Sequence, residues 1–231
     1  MEDKIMKTIL KSLLLLLSVI FILYSCKQEN GKGEGNMNEP KVFNTPEEAA
    51  AKAKSDLIEV LETNKDLDLG IDIEKLRSSQ PAKMIKYADV DFQKLLTTQN
   101  VQSLSDISDS PKSMLTPFVT MNQVIGIVEV GPEKSGWKVV GLGDKPVKED
   151  LNTTGIDLSG NEDVTVYEVP NLKLYIYGVR KNGSETYHLN FGQYTLRDST
   201  SIQDFYPELH ESSIKFQREY GGILKKERLV E

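Results

Sequence analysis

Several residue types are scarce in this chain of 231 residues. It has one cysteine, two histidines and more acidic than basic residues, 35 Asp+Glu against 28 Lys+Arg. One cysteine cannot form an intramolecular disulfide, which excludes the disulfide-rich scaffolds, and a net charge of −7 has the opposite sign from that of nucleic-acid-binding domains. Hydrophobic residues make up 39% of the chain, too many for a disordered protein. We therefore expect a globular protein with no nucleic-acid partner.

The chain also lacks a long hydrophobic run. Its N-terminal uncharged stretch, residues 12–25, is shorter than the roughly 20 residues that cross a bilayer. Three lysines precede this stretch: Lys4, Lys7 and Lys11. Basic residues followed by a short apolar run are typical of a secretory signal peptide. We interpret residues 1–25 as such a peptide, with translation starting at Met1 or at Met6.

The apolar run ends in Leu23-Tyr24-Ser25-Cys26, which resembles the lipobox of bacterial lipoproteins. The resemblance implies cleavage before Cys26 and acylation of that cysteine, for example with palmitate, so that the membrane is a partner through a lipid anchor. More than one acyl chain makes such attachment durable. In enterobacterial lipoproteins an aspartate after the cysteine marks retention in the inner membrane. Because Lys27 stands here, the resemblance implies the outer membrane of a bacterial cell envelope.

A tether and one domain are expected after the signal peptide. Residues 26–40 comprise the lipidated cysteine and a segment with three glycines and no apolar pattern. As a flexible coil, these residues would span roughly 20 Å. Residues 41–231 would then form a single domain.

The sequence of this domain contains signals for helices at both ends and strands between them. Thr45-Pro46 is typical of a helix start, with a threonine cap and proline at the first helical position, and apolar residues recur at helical spacing to about Thr63. A second long helix is expected from about Pro207 until Gly221-Gly222 ends it. We predict an α+β fold, with a mainly antiparallel sheet of about six or seven strands and an N-terminal and a C-terminal helix packed on it.

Two hairpins are expected within the sheet. In the first, a six-residue turn from Gly131 to Gly136 would place Val130 opposite Trp137. In the second, Asn182-Gly183 is the strongest short signal for a type I′ turn. Pairing across this turn opposes Tyr177 with His188 and Ile176 with Leu189.

The second hairpin presents one apolar face and one face that is aromatic and polar. Tyr175, Tyr177 and His188 lie on the polar face, together with Val179 and Thr186. Amphipathic aromatic side chains suit contacts with ligands or partners, so this face is our candidate binding surface. The alternative is that a helix covers it, and the predicted C-terminal helix is the candidate cover.

Signals for catalysis are weak. His188 and His210 do not form a short metal-binding spacing, and no nucleophile-elbow motif occurs. The segment Gly141–Lys145 lacks the glycine spacing of a phosphate-binding loop, and we expect a strand end that turns into a short helix. We therefore expect no catalytic site, no metal and no cofactor.

The segment Gly136–Gly143, GWKVVGLG, resembles part of a recurring domain in uncharacterised exported bacterial proteins, many of them lipoproteins. The likeness extends loosely over residues 45–152 and implies no activity. A more distant likeness is to the propeptide-type inhibitors of streptopain-like cysteine proteases, which also place a helix before an antiparallel sheet. The sequence thus predicts a noncatalytic binding or structural module of the envelope, with an unidentified envelope protein as a possible partner. A cysteine-protease inhibitor and a hydrolase with an unrecognised site are the alternatives.

Overall fold

The computed structural model describes residues 41–227, with side chains as far as Gly222. The predictions for the signal peptide, for Cys26 and for the tether lie outside these residues.

Five α-helices occur in the described part of the chain. They are α1 (Pro46–Thr63), α2 (Ile73–Ser78), α3 (Phe92–Thr97), α4 (Lys145–Thr154) and α5 (Ile202–Glu227). The predicted start of α1 is confirmed, because Thr45 Oγ1 accepts a hydrogen bond from the backbone N–H of Glu48 at 3.2 Å.

Within residues 41–227, eight strands form one sheet. They are β1 (Gln80–Pro81), β2 (Ile85–Asp89), β3 (Ser113–Thr120), β4 (Gln123–Glu133), β5 (Gly136–Leu142), β6 (Asp163–Val169), β7 (Leu174–Lys181) and β8 (Ser184–Leu189). The order across the sheet is β5-β4-β3-β2-β6-β7-β8, and β1 pairs with β3. Only β2 and β6 run parallel among these pairs. The predicted α+β class and the mainly antiparallel sheet are confirmed, with eight strands where six or seven were expected.

The helices divide unequally between the two faces of the sheet. On one face, α1 and α2 pack over β3 and β4, while α3 and α5 pack over β2, β6, β7 and β8. On the other face, α4 places Val147 and Leu151 against Tyr177 and Val166. The helices α1 and α5 therefore share one face, and α4 is the one described helix that packs on the opposite face.

The hairpin of β4 and β5 differs from the prediction. Pro132, and not Val130, lies opposite Trp137, and Val130 lies opposite Val139. Residues 131–133 continue the strand, so the turn shrinks to Lys134-Ser135. A bulge between Glu129 and Val130 shifts the register again further along the strands.

The hairpin of β7 and β8 agrees with the prediction. Tyr177 lies opposite His188, and Ile176 lies opposite Leu189. Asn182 and Gly183 have φ angles of 52° and 80°, the left-handed conformation that a type I′ turn requires at both central positions.

The C-terminal helix begins earlier and ends later than predicted. It starts at Ile202, with Pro207 inside it, and continues through Gly221-Gly222. The Asp204 carboxylate accepts hydrogen bonds from the backbone N–H and the hydroxyl of Ser201, at 3.3 and 2.7 Å. Asp204 thus reaches back to residue 201 from inside the first turn, which moves the start of the helix upstream of Pro207.

Candidate functional site

The polar face of the β7–β8 hairpin is partly covered by α4. Tyr177 is 0% exposed, and its hydroxyl donates a hydrogen bond to Asp150 Oδ2 at 2.8 Å. Burial raises the pKa of Tyr177 well above its ordinary value, and the neighbouring Asp150 carboxylate adds to the effect. Tyr177 is therefore a packing residue under a helix, as the alternative interpretation of this face predicted.

Tyr175, on β7, contacts the residue that precedes α4. Its side chain is half-buried, and its hydroxyl donates to Asp144 Oδ2 at 2.6 Å. Burial raises the pKa of Tyr175, and the hydrogen bond to Asp144 adds to it. Tyr175 and Tyr177 thus contact the beginning and the middle of α4.

The covering helix is not the one that the sequence suggested. The C-terminal helix α5 packs Phe205 and Leu209 on the opposite face of the sheet, against Ile176 and Leu189. The expectation that it covers Tyr175 and Tyr177 is wrong. The short helix α4 takes that place because it follows β5 directly and buries its two apolar residues, Val147 and Leu151, there.

His188 lies beyond the edge of α4 and remains half-buried. Its Nδ1 is 3.0 Å from the carbonyl oxygen of Leu196. Because a carbonyl only accepts hydrogen bonds, Nδ1 carries a proton and donates it to this oxygen. His188 therefore holds the loop before α5 with one nitrogen and keeps the other for a further contact.

A cleft of about 570 Å³ opens beside His188. Its floor contains Val179, Thr186 and His188, which belong to the predicted polar face. The loop after α4 forms one wall at Ile156 and Asp157, and the loop before α5 forms the other at Arg197 and Ser199. Part of the predicted binding surface thus lies open in this cleft, while Tyr177 does not.

The polar groups of the cleft fall into two sets. The groups of the first set are paired, since Lys181 Nζ donates to Glu162 Oε1 at 2.7 Å and Ser159 Oγ donates to Asp157 Oδ1 at 2.6 Å. In the second set, within the described part of the chain, four side chains make no hydrogen bond or ion pair: Asn182, Ser184, Ser199 and Arg197. The hydroxyl of Thr186 on the floor is likewise unpaired among the described residues. The cleft therefore has free hydrogen-bonding groups at the β7–β8 turn, on its floor and on the loop before α5.

A second polar cluster lies on the same face of the sheet at the other end of the strands. Lys112 Nζ donates to Asp89 Oδ1 at 2.6 Å and to Glu168 Oε2 at 3.1 Å, and the Tyr87 hydroxyl donates to the same Glu168 oxygen. Burial lowers the pKa of Lys112, but the hydrogen bonds to the two carboxylates outweigh it, so the pKa is raised overall. The polar groups of this cluster are hydrogen-bonded to one another, and they connect the segment before β3 to β2 and β6.

Each of the two histidines contacts a backbone carbonyl oxygen through Nδ1. His210 Nδ1 is 2.7 Å from the carbonyl oxygen of Leu95, which joins α5 to α3. Among the described residues there is no group of three His, Cys, Asp or Glu side chains placed to hold a metal ion. Within the same residues, no helix has the length and apolar character to cross a membrane.

The sequence pointed to part of the cleft and missed the rest. His188 and Thr186 follow from the register of one hairpin. Arg197 and Ser199 reach the cleft because Tyr187 and Thr200 form an isolated bridge that folds the loop back along β8. No motif or spacing signals that contact, so this wall could not be predicted.

The chain was compared with protein-family models, with curated proteins and with solved structures, and none of the three comparisons gave a match.

Proposed function

We propose that this protein is a lipid-anchored, noncatalytic binding module of the bacterial envelope, attached through Cys26, and that the cleft beside His188 is its binding site. The observation that carries the proposal is the position of the cleft relative to the first described residues. The cleft and the first described residues lie at opposite edges and opposite ends of the sheet.

The strand order gives the separation across the sheet. Phe43 pairs with Trp137 on β5, the first strand in the order, and the cleft lies beside β8, the last. Six inter-strand spacings of about 4.8 Å separate these strands, on the order of 29 Å.

The strand directions place the two points at opposite ends as well. The Lys134-Ser135 turn, next to Trp137, lies at the C-terminal end of β4. The Asn182-Gly183 turn, which borders the cleft, lies at the C-terminal end of β7. Four pairings connect β4 to β7. The pairings β4–β3, β3–β2 and β6–β7 are antiparallel, and β2–β6 is parallel. Because three of the four reverse the direction, β4 and β7 run in opposite directions. A domain held at its N-terminal side would therefore keep the cleft accessible.

The lipid anchor is tested by Cys26→Ala. A lipoprotein requires this thiol for acylation, so we expect the variant to remain uncleaved or to become soluble, whereas the parent partitions into detergent. Detergent phase separation and intact mass measure the two outcomes. A variant that is cleaved and still enters the detergent phase would contradict the proposal.

The binding role is tested by photo-crosslinking in intact envelopes. A photoreactive residue at Thr186 should give a specific adduct, whereas the same residue at Arg218, which is exposed on α5, should not. Equal adducts at both positions, or none at Thr186, would contradict a role for the cleft.

A protease inhibitor remains the second candidate because of one edge of the sheet. β5 is a terminal strand, and Val139, Val140 and Leu142 are 38%, 53% and 40% exposed. An extended edge strand is a structure that another protein can bind by strand addition. Inhibition of a streptopain-like protease that is lost in Val140→Lys would support this function, and absence of inhibition by the parent protein would exclude it for that enzyme class.

A further inference from the structure

We propose that the cleft beside His188 binds a carbohydrate that carries one carboxylate group, as a uronic acid does. This inference rests on the proposed function, because it names the ligand class of the same cleft.

The charge in the cleft favours a ligand with a single negative charge. Arg197 has no ion-pair partner within the described part of the chain, and its guanidinium matches the geometry of a carboxylate. The neighbouring cation, Lys181, is already paired with Glu162. Asp157 on the opposite wall adds a negative charge that opposes a doubly charged phosphate. One cation is therefore free for a ligand, and a monoanion fits it best.

The neutral groups of the cleft favour a ligand with several hydroxyls. Ser184, Thr186 and Ser199 each offer a hydroxyl that can donate and accept, and none is paired among the described residues. His188 adds a further hydrogen-bonding atom, Nε2, since its Nδ1 is committed to the Leu196 carbonyl. Sugar hydroxyls likewise donate and accept, so they can satisfy this set.

The lining of the cleft disfavours other ligand classes. No Phe, Tyr or Trp lines it within the described residues, so a nucleobase would lack an aromatic surface on which to stack. Its aliphatic part is limited to Val179 and Ile156, too little for a lipid tail but suited to the C–H face of a sugar ring. A volume of about 570 Å³ lies in the usual range of small-molecule sites.

The inference is tested by calorimetry and ligand-observed NMR on the full lipidated protein in detergent. The probes are galacturonate, the neutral sugar galactose, and acetate, which supplies the carboxylate without hydroxyls. We expect galacturonate to bind more tightly than either of the others. Arg197→Gln should raise the Kd for galacturonate about ten-fold or more, as expected for the loss of a charge-assisted pair. Arg218→Gln is the matched control on an exposed helix and should leave the Kd unchanged.

Two substitutions of His188 distinguish the roles of its two ring nitrogens. His188→Asn keeps an N–H near the position of Nδ1 and removes Nε2, so it should retain the melting temperature and weaken binding. His188→Gln keeps a polar group near the position of Nε2 and removes the contact with Leu196, so it should lower the melting temperature.

The possible outcomes distinguish this inference from the proposed function. Equal affinity for galacturonate and galactose, or an unchanged Kd in Arg197→Gln, would overturn the assignment of an acidic sugar. If no sugar binds and crosslinking from Thr186 still yields a specific adduct, the ligand class is wrong while the cleft remains a binding site. If both measurements are negative, the inference and the proposed function fail together.

Discussion

Thr116, in the middle of β3, is a buried residue whose hydroxyl has no hydrogen-bond partner among the described residues. A buried polar group left without a partner destabilises a protein by about 1–3 kcal/mol. Thr116→Val keeps the branched shape and removes the hydroxyl, so we expect the free energy of unfolding to rise by about 1 kcal/mol. Urea denaturation measures this change.

Thr120→Val is the matched control for this substitution. Thr120 ends the same strand and is partly exposed, so the change should have little effect. A loss of stability in Thr116→Val would show that the hydroxyl has a partner in solution.

Asp150 should make stability depend on pH. Burial raises the pKa of this carboxyl above its ordinary value, although the hydrogen bond from Tyr177 opposes the shift. The folded protein therefore holds this proton more tightly than the unfolded chain, and ionisation costs stability as the pH rises through the raised pKa. Asp150→Asn keeps an oxygen acceptor for Tyr177 and cannot ionise. We expect its melting temperature, relative to that of the parent, to increase as the pH rises from below the ordinary pKa of an aspartate to above the raised one.

Asp157→Asn should change the pH dependence of the melting temperature in the opposite direction from Asp150→Asn. The hydrogen bonds from Ser159 hold the pKa of Asp157 below its ordinary value. Its ionised form therefore stabilises the fold above the unfolded pKa, and this contribution is lost as the pH falls through the folded pKa. The melting temperature of Asp157→Asn should fall relative to that of the parent as the pH rises. The same direction of change in both variants would contradict this account.

At the scale of single elements, Gly136 allows the chain before α1 to pair with β5. A Cβ on Gly136 would collide with the Phe43 carbonyl oxygen, which accepts a hydrogen bond from Trp137 N at 2.8 Å. We expect Gly136→Ala to detach Phe43 and to expose Trp137, the single tryptophan of the chain. A red shift of its fluorescence emission measures the exposure. In Gly141→Ala, on the same strand, the added Cβ meets no atom within 4 Å, so the emission should not shift.

Elements with local signals could be predicted, and those that depend on distant contacts could not. The cap at Thr45 and the Asn182-Gly183 turn each lie within a few residues, and both agree with the structure. The Lys134-Ser135 turn carries no such signal, and the bulge in β4 makes the register of that hairpin unreadable from apolar pairs alone. The parallel pairing of β2 with β6 joins Tyr87 to Val166. Nothing local in the sequence indicates this pair.

The same limit applies to the candidate site. His188 could be placed by counting from a two-residue turn, but Arg197 reaches the cleft through a loop whose course depends on the bridge between Tyr187 and Thr200. The choice of α4 over α5 as the cover of Tyr177 depends on which face each helix packs against. Apolar spacing shows that a helix has a buried side, and it does not show which side of a sheet receives it.

At the scale of the whole described domain, one sheet joins three hydrophobic clusters. Single strands carry members of two clusters: Tyr87 and Ala88 are adjacent on β2 and belong to different clusters, as do Ile127 and Val128 on β4. We therefore expect the domain to unfold in one cooperative transition. Trp137 fluorescence reports the β5 edge, and far-UV circular dichroism reports all elements, so their urea transitions should coincide. Two separated midpoints would show that the clusters unfold independently.

The pairing of Phe43 with Trp137 also has a mechanical consequence. Its two backbone hydrogen bonds, at 2.7 and 2.8 Å, are the first inter-strand bonds of the described chain, and they lie at the outer edge of a terminal strand. A force that pulls on the chain from the side of residue 41 reaches these bonds before it reaches α1 or the interior of the sheet. Their rupture would lengthen the chain by a few residues while leaving the pairing of β4 with β5 in place. Under a load applied from this side, the hydrogen bonds between Phe43 and Trp137 would thus break before the sheet unfolds.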